Sequence, residues 1–152
     1  MSLRYRYRLF AMGHPLIPLS GRTVRPRPLI PVTLIGPGGT SRARALVDTG
    51  ADDTLFPDSA AVNIGLDLTN APVGAGAGIG MAAVPVRYAQ VMLRLAAGSE
   101  RREWAGWVGF TSAPLRHPVL GFAGCLQYFD ALFLGGLEEL ELTVNDLYPG
   151  TP

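Results

Sequence analysis

The sequence predicts a single, mainly β domain over residues 1–152. Its 19 glycines and 13 prolines are spread along the chain and separate short apolar segments, a pattern typical of many strands joined by turns. Hydrophobic residues make up 48% of the chain and charged residues 16%, which favours a globular fold over a disordered one. A length of 152 residues is enough for one core but short for two independent domains.

The predicted elements follow the chain in order. Residues 3–10 alternate arginine with apolar side chains, which indicates a half-exposed strand with Arg4, Arg6 and Arg8 in water. Residues 29–35 and 42–47 flank a glycine-rich turn and predict a hairpin that leads directly to Asp48. The later elements are a short helix within 57–66, a long strand from Val84, a strand at 104–110, a short helix at 121–128, and strands at 129–134 and 139–144.

Charge and composition narrow the classes of function. The net charge of +1 gives no reason to expect a polyanionic partner, so nucleic-acid binding would depend on Arg4, Arg6 and Arg8 alone. No apolar stretch approaches the roughly 20 residues of a membrane span. A soluble, cytoplasmic protein with no nucleic-acid or membrane partner is therefore the default expectation.

The single cysteine, Cys125, excludes an intrachain disulfide. It also forms no metal-ligand pattern with His14 and His117, which lie far apart in the sequence. We expect a buried structural thiol and no metal site.

The polar cluster at residues 48–54 is the main candidate for a catalytic site. Asp48 stands at the end of a predicted buried strand, where a carboxylate loses solvation unless something uses or satisfies it. Thr49 can hydrogen-bond locally, and Gly50 allows a close backbone approach or a positive φ. Asp-Thr-Gly alone is a common tripeptide, so a plain Asp-rich turn is the alternative interpretation.

The longer run Asp48-Thr49-Gly50-Ala51-Asp52-Asp53-Thr54 resembles the active-site loop of retropepsin-like aspartic proteases, the family of retroviral proteases and their bacterial and cellular relatives. The resemblance implies that Asp48 is the catalytic aspartate and that Thr49 supports interlocked loops of two subunits. It also implies that the substrate peptide is bordered by Ala51, Asp52 and Asp53.

Two further segments extend the resemblance over residues 28–133. The glycine tract at 74–80, which leads into residues 84–91, is similar to the mobile flap of these proteases, and residues 117–130 look like their later apolar-Gly motif and helix. A flexible linker remains an alternative for the glycine tract, whereas Ile79 and Met81 break a nucleotide-binding fingerprint. The further substrate-contacting candidates are Gly76, Gly78, Ile79, Gly80, Val84 and Leu120. Ordinary core is an equally possible role for four apolar residues, Leu46, Ile79, Val84 and Leu120.

The chain departs from the retroviral pattern after Leu120-Gly121. Retroviral enzymes have an arginine at the next position, which pairs with an aspartate of the active-site loop, whereas this chain has Phe122. Either another arginine, such as Arg8 or Arg116, pairs with Asp52, or Asp52 is left free to meet the substrate.

The family implies a closed β-barrel half with one or two short helices and a flap hairpin, active as a homodimer on polypeptides without a metal or organic cofactor. Because one chain offers one Asp-Thr-Gly motif, two Asp48 carboxylates require two chains. Two alternatives stay open from sequence: a dimerising peptide-binding module that does not hydrolyse, and a β-barrel that binds nucleic acid through its N-terminal arginines.

Overall fold

Strands dominate the structure, a computed structural model that describes residues 1–76 and 83–151. Strand accounts for 59% and helix for 8%, which confirms a mainly β fold. In chain order the strands are β1 (Leu3–Arg6), β2 (Arg8–Leu16), β3 (Arg22–Arg27), β4 (Leu29–Gly36), β5 (Gly39–Val47), β6 (Leu55–Pro57), β7 (Val73–Gly76), β8 (Val84–Ala97), β9 (Glu100–Thr111), β10 (Val119–Leu120), β11 (Phe129–Leu134) and β12 (Glu139–Val144). The helices are α1 (Asp58–Asn63) and two 3-10 turns, Ile17–Leu19 and Leu126–Tyr128.

Six strands close into a barrel. They follow one another in the order β4, β5, β10, β6, β9 and β8, and β8 pairs back onto β4 through the register Val32↔Leu95. Most neighbours are antiparallel, but β5 with β10 and β6 with β9 are parallel. The closure leaves β7 as an extra strand on the outer edge of β8. Burial alternates along β5, so that Ala45 and Val47 face the core while Arg42 and Arg44 face water.

The chain ends form separate sheets. β1, β12 and β11 make a three-stranded antiparallel sheet, in which Arg4 pairs with Glu141 at 3.0 Å. The alternation of residues 3–6 follows the prediction, with Leu3 and Tyr5 buried and Arg4 and Arg6 exposed. β2 and β3 form a two-stranded hairpin. Within the two described ranges, no helix has the length and apolarity to cross a membrane.

Trp104 on β9 lies at the centre of the core. Its side chain is fully buried and meets Phe129 edge-on, with 5.1 Å between the ring centroids. The indole Nε1 donates a hydrogen bond of 2.8 Å to the carbonyl of Gly124. This bond satisfies the one polar atom of a large buried side chain and ties the barrel to the segment after β10.

The helix expected over residues 121–128 is wrong for most of its length, because only Leu126–Tyr128 forms a single 3-10 turn. The amides of Phe122 and Ala123 donate to the loop that follows β5. Gly124 has φ +86°, a left-handed value that a right-handed helix cannot contain. The other predicted helix is confirmed in shorter form as α1.

Cys125 is fully buried, as predicted, and burial raises the pKa of its thiol from 9.0 to about 12. In the unfolded chain this thiol ionises above about pH 9, while in the folded protein it stays protonated. Stability from this site is therefore complete below pH 9 and falls as the pH rises towards 12. We expect a loss of about 1 kcal/mol of unfolding free energy between pH 7 and pH 10.

Urea unfolding of wild type and Cys125→Ala at both pH values measures this loss. The variant has no thiol to titrate, so its stability should decrease less between pH 7 and pH 10. An equal decrease in both proteins would show that other groups cause the alkaline dependence.

Candidate active site

The Asp48 loop begins where β5 leaves the barrel core. Asp48 follows Val47 directly and is half-buried, whereas Thr49 and Gly50 are exposed. The carboxylate Oδ1 of Asp48 accepts a hydrogen bond of 2.9 Å from the Gly50 amide, and its carbonyl accepts one of 3.2 Å from the Ala51 amide. These two bonds fold residues 48–51 into a tight turn that fixes the carboxylate at the end of the strand.

Parallel pairing with β10 holds the base of this loop. Val119 and Leu120 lie beside Leu46 and Val47, and the Asp48 amide donates a bond of 3.1 Å to the Leu120 carbonyl. On the opposite side of β5, the Val47 amide donates to the Pro28 carbonyl at 3.0 Å. The strand that carries Asp48 is therefore bound on both edges, which limits its movement.

A second set of bonds interlocks the loop with the segment after β10. The amides of Phe122 and Ala123 donate to the carbonyls of Ala51 and Asp52 at 2.9 and 2.8 Å. The Thr54 amide returns a bond of 3.1 Å to the Ala123 carbonyl. Residues 48–54 and 120–123 thus form one hydrogen-bonded unit, although about 70 residues separate them in the chain.

The structure brings together Asp48, Thr49, Gly50, Ala51, Asp52 and Asp53 in one loop at one end of β5. Asp52 is exposed, and Asp53 and Ala51 are half-buried. Leu120 is fully buried in the core, while Leu46 and Val84 are half-buried. The predicted site residues therefore differ in accessibility, and Leu120 has no exposed surface in the single chain.

The expected flap falls partly outside the described residues. β7 and the start of β8 pair antiparallel, with Gly76 opposite Val84 and Val73 opposite Arg87, which forms the stem of a hairpin. Three predicted substrate-contacting residues, Gly78, Ile79 and Gly80, lie outside the described part of the chain.

Tyr88 was not predicted as a site residue, yet its hydroxyl donates a hydrogen bond of 2.7 Å to Oδ2 of Asp53. Gly74 and Gly109 make room for the ring: a Cβ at these positions would lie 2.6 and 3.2 Å from it. Burial raises the pKa of Tyr88 to about 12, and the bond to Asp53 adds to the shift. The phenol is therefore a neutral donor at ordinary pH. No local signal in the sequence links residues 35 positions apart.

We expect Tyr88→Phe to lower the unfolding free energy by about 1 kcal/mol, because the half-buried Asp53 carboxylate loses a donor while the ring packing is kept. Urea unfolding measures this change. Tyr128→Phe removes the hydroxyl of another half-buried tyrosine and is the matched control. Equal stability of wild type and Tyr88→Phe would show that the bond contributes nothing.

The sequence left two possibilities for Asp52, pairing with another arginine or freedom to meet the substrate. Among the described residues, no ion pair involves Asp52, and both Arg8 and Arg116 lie instead close to His117. Phe122, which by the resemblance replaces the retroviral arginine, is 62% exposed. In the single chain, the Asp52 carboxylate therefore has no arginine partner among the described residues.

In the described ranges, no group of three or more His, Cys, Asp and Glu side chains is placed to hold a metal ion. Comparison of the sequence with protein-family models gives no match, and comparison with curated proteins gives none either.

Proposed function

We propose that the protein is an aspartic endopeptidase that acts as a homodimer, with one Asp48 from each chain. The observation that carries the proposal is the Asp48 loop, whose half-buried carboxylate is oriented by the Gly50 amide and whose backbone is locked to residues 120–123. Such rigidity is what a catalytic carboxylate requires. The resemblance of residues 48–54 to the retropepsin active-site loop supports the same assignment.

The proposed chemistry needs two carboxylates and one water molecule. Two carboxylates a few ångströms apart cannot both ionise, so they share one proton, as is known for aspartic-protease dyads. The ionised Asp48 takes a proton from the water, which attacks the scissile carbonyl, while the protonated Asp48 donates to the carbonyl oxygen. No metal or organic cofactor takes part in this scheme. The pKa values of such a dyad belong to the pair of carboxyl groups and cannot be assigned to the Asp48 of either chain.

The loop also retains backbone donors for a substrate. The carbonyls of Ala51 and Asp52 are occupied by Phe122 and Ala123. By contrast, among the hydrogen bonds of the described residues, the amides of Asp52 and Asp53 have no acceptor. An extended peptide that crosses the loop would supply carbonyl acceptors, as in other strand-like modes of peptide recognition. The antiparallel pair of β7 and β8 is the stem of the flap that the proposal places over the bound peptide.

The experiment is digestion of a mixed peptide library between acidic and neutral pH, with and without a statine-type inhibitor. Cleavage that the inhibitor suppresses supports the proposal, and the cleaved sequences define the preference beside the cut. A folded dimer that binds peptides and cuts none at any pH would instead support a peptide-binding module and overturn the endopeptidase.

A further inference from the structure

One face of the β2–β3 hairpin carries three arginines around an aromatic ring. Arg8 lies directly opposite Arg27, and Phe10 lies opposite Arg25. Because side chains two apart along a strand share a face, all four point the same way. The guanidinium carbons of Arg8 and Arg27 lie 5.8 and 5.3 Å from the centroid of the Phe10 ring.

The loop before β10 adds two more basic residues to this face. The ring of His117 lies 5.8 Å from that of Phe10, centroid to centroid. Burial and the positive charges of Arg27, Arg116 and Arg8 lower the pKa of His117. His117 Nε2 is buried and has no hydrogen-bond partner in the described residues. We call this set the basic cluster: Arg8, Phe10, Arg25, Arg27, Arg116 and His117.

The basic cluster has no compensating carboxylate in the part of the chain that the structure describes. Every ion pair found there uses another arginine, namely Arg4, Arg6, Arg22, Arg94 or Arg102. Like charges directly across a strand pair are destabilising, so Arg8 opposite Arg27 costs stability that the contacts with Phe10 offset only in part. An arrangement of this kind is suited to an external anion.

The backbone connects the basic cluster to the Asp48 loop. Arg27 precedes Pro28, whose carbonyl accepts the Val47 amide at 3.0 Å. His117 precedes Pro118, whose carbonyl accepts the Leu46 amide at 2.8 Å. Consecutive Cα atoms are about 3.8 Å apart, so the cluster begins roughly 10 Å from Asp48, the span of roughly three residues of an extended peptide.

We propose that the basic cluster binds acidic side chains of the peptide substrate, roughly three residues from the scissile bond. The inference rests on the proposed function and adds a substrate class to it: peptides with an Asp or Glu flank on one side of the cleaved bond. Alternate side chains of an extended peptide and of β3 repeat at the same spacing, so acidic residues two apart can meet Arg25 and Arg27.

An acidic peptide fits better than a nucleic acid. Nucleic-acid binding relies on many phosphate contacts, whereas this surface has four arginines on a chain of net charge +1. The cluster also adjoins the loop where the peptide is proposed to pass. Binding of a nucleic acid is the competing outcome of the experiment.

The test compares peptides that share one cleavable central sequence, taken from the library digestion, and whose flanks carry either Asp and Glu or Asn and Gln. Wild type should cleave the acidic peptide with a kcat/KM about tenfold higher, the effect of one or two charge-assisted hydrogen bonds. Arg27→Gln/Arg116→Gln should lose this difference and cleave the neutral peptide as wild type does. The control, Arg42→Gln/Arg101→Gln, removes two exposed arginines outside the cluster and should keep the preference.

A binding measurement with Asp48→Asn separates this inference from the proposed function. Fluorescence anisotropy should show tighter binding of the acidic peptide, with the difference removed by adding Arg27→Gln/Arg116→Gln. Tight binding without cleavage by the wild type would keep the acidic site and overturn the endopeptidase. Equal cleavage and equal binding of both peptides would overturn the acidic-peptide site alone. The same conclusion would follow if a single-stranded oligonucleotide of the same charge bound more tightly than the acidic peptide and lost this binding in Arg27→Gln/Arg116→Gln.

Discussion

Asp48→Asn is expected to reduce kcat/KM for peptide hydrolysis by about 10³-fold or more, the range in which general acid and base catalysis contributes. Asparagine has nearly the same shape as aspartate, and its Oδ1 can still accept the bond from the Gly50 amide that holds the loop. It cannot act as a base for water or share a proton with the second chain. The fold should therefore remain while the chemistry is lost.

The measurement is steady-state hydrolysis of a library-derived peptide, beside circular dichroism and urea unfolding. Asp130→Asn changes an exposed aspartate on β11 and should keep full activity. Hydrolysis by Asp48→Asn at the wild-type rate would show that Asp48 is not the catalytic residue.

Mixing of chains tests the dimer in the same assay. When wild-type and Asp48→Asn chains exchange freely in equal amounts, about a quarter of the dimers hold two wild-type chains. The activity should therefore be about a quarter of that of wild type at the same total chain concentration. A fall to one half would mean that each chain works alone.

Gly121→Ala is expected to remove about 3 kcal/mol or more of unfolding free energy, because overpacking against backbone cannot be relieved by a side-chain rotation. A Cβ at Gly121 would lie 2.2 Å from the Asp53 carbonyl oxygen and 2.8 Å from that of Ala51. Relief of this clash requires movement of the Asp48 loop away from residues 120–123. Activity should therefore fall together with stability.

Thermal unfolding measures the effect, with an expected decrease in Tm of about 10 °C for a chain of this length. Gly135→Ala is the matched control: its Cβ would meet nothing within 4 Å and its φ lies outside the left-handed region. Equal Tm values for Gly121→Ala and wild type would contradict the tight contact between the two segments.

Several local features were predictable because nearby residues determine them. The β4–β5 hairpin follows from two apolar runs around a glycine-rich turn, and β11 and β12 match their predicted bounds at both ends. The position of Asp48 at a strand end also follows from the sequence. The burial of Cys125 agrees with the usual behaviour of a lone thiol.

Features that depend on distant contacts were not predictable. The helix expected at 121–128 is interrupted at Gly124, whose φ is +86°, and the amides of Phe122 and Ala123 bond to Ala51 and Asp52, about 70 positions away. The contacts of Tyr88 with Asp53 and of Phe10 with His117 likewise join residues far apart in sequence. Such pairs leave no periodicity in a single sequence, because each partner satisfies only its own local pattern.

The sequence by itself determined the strands, the turns and the residues able to carry the chemistry, because alternation of apolar side chains and turn-forming residues act over a few positions. The tertiary structure decided which strands pair and therefore what surrounds Asp48. Closure of the barrel through β4 and β8 and the parallel pairing of β5 with β10 satisfy backbone groups across the whole chain. That requirement, together with burial of one common core, is a property of the complete fold and not of any segment.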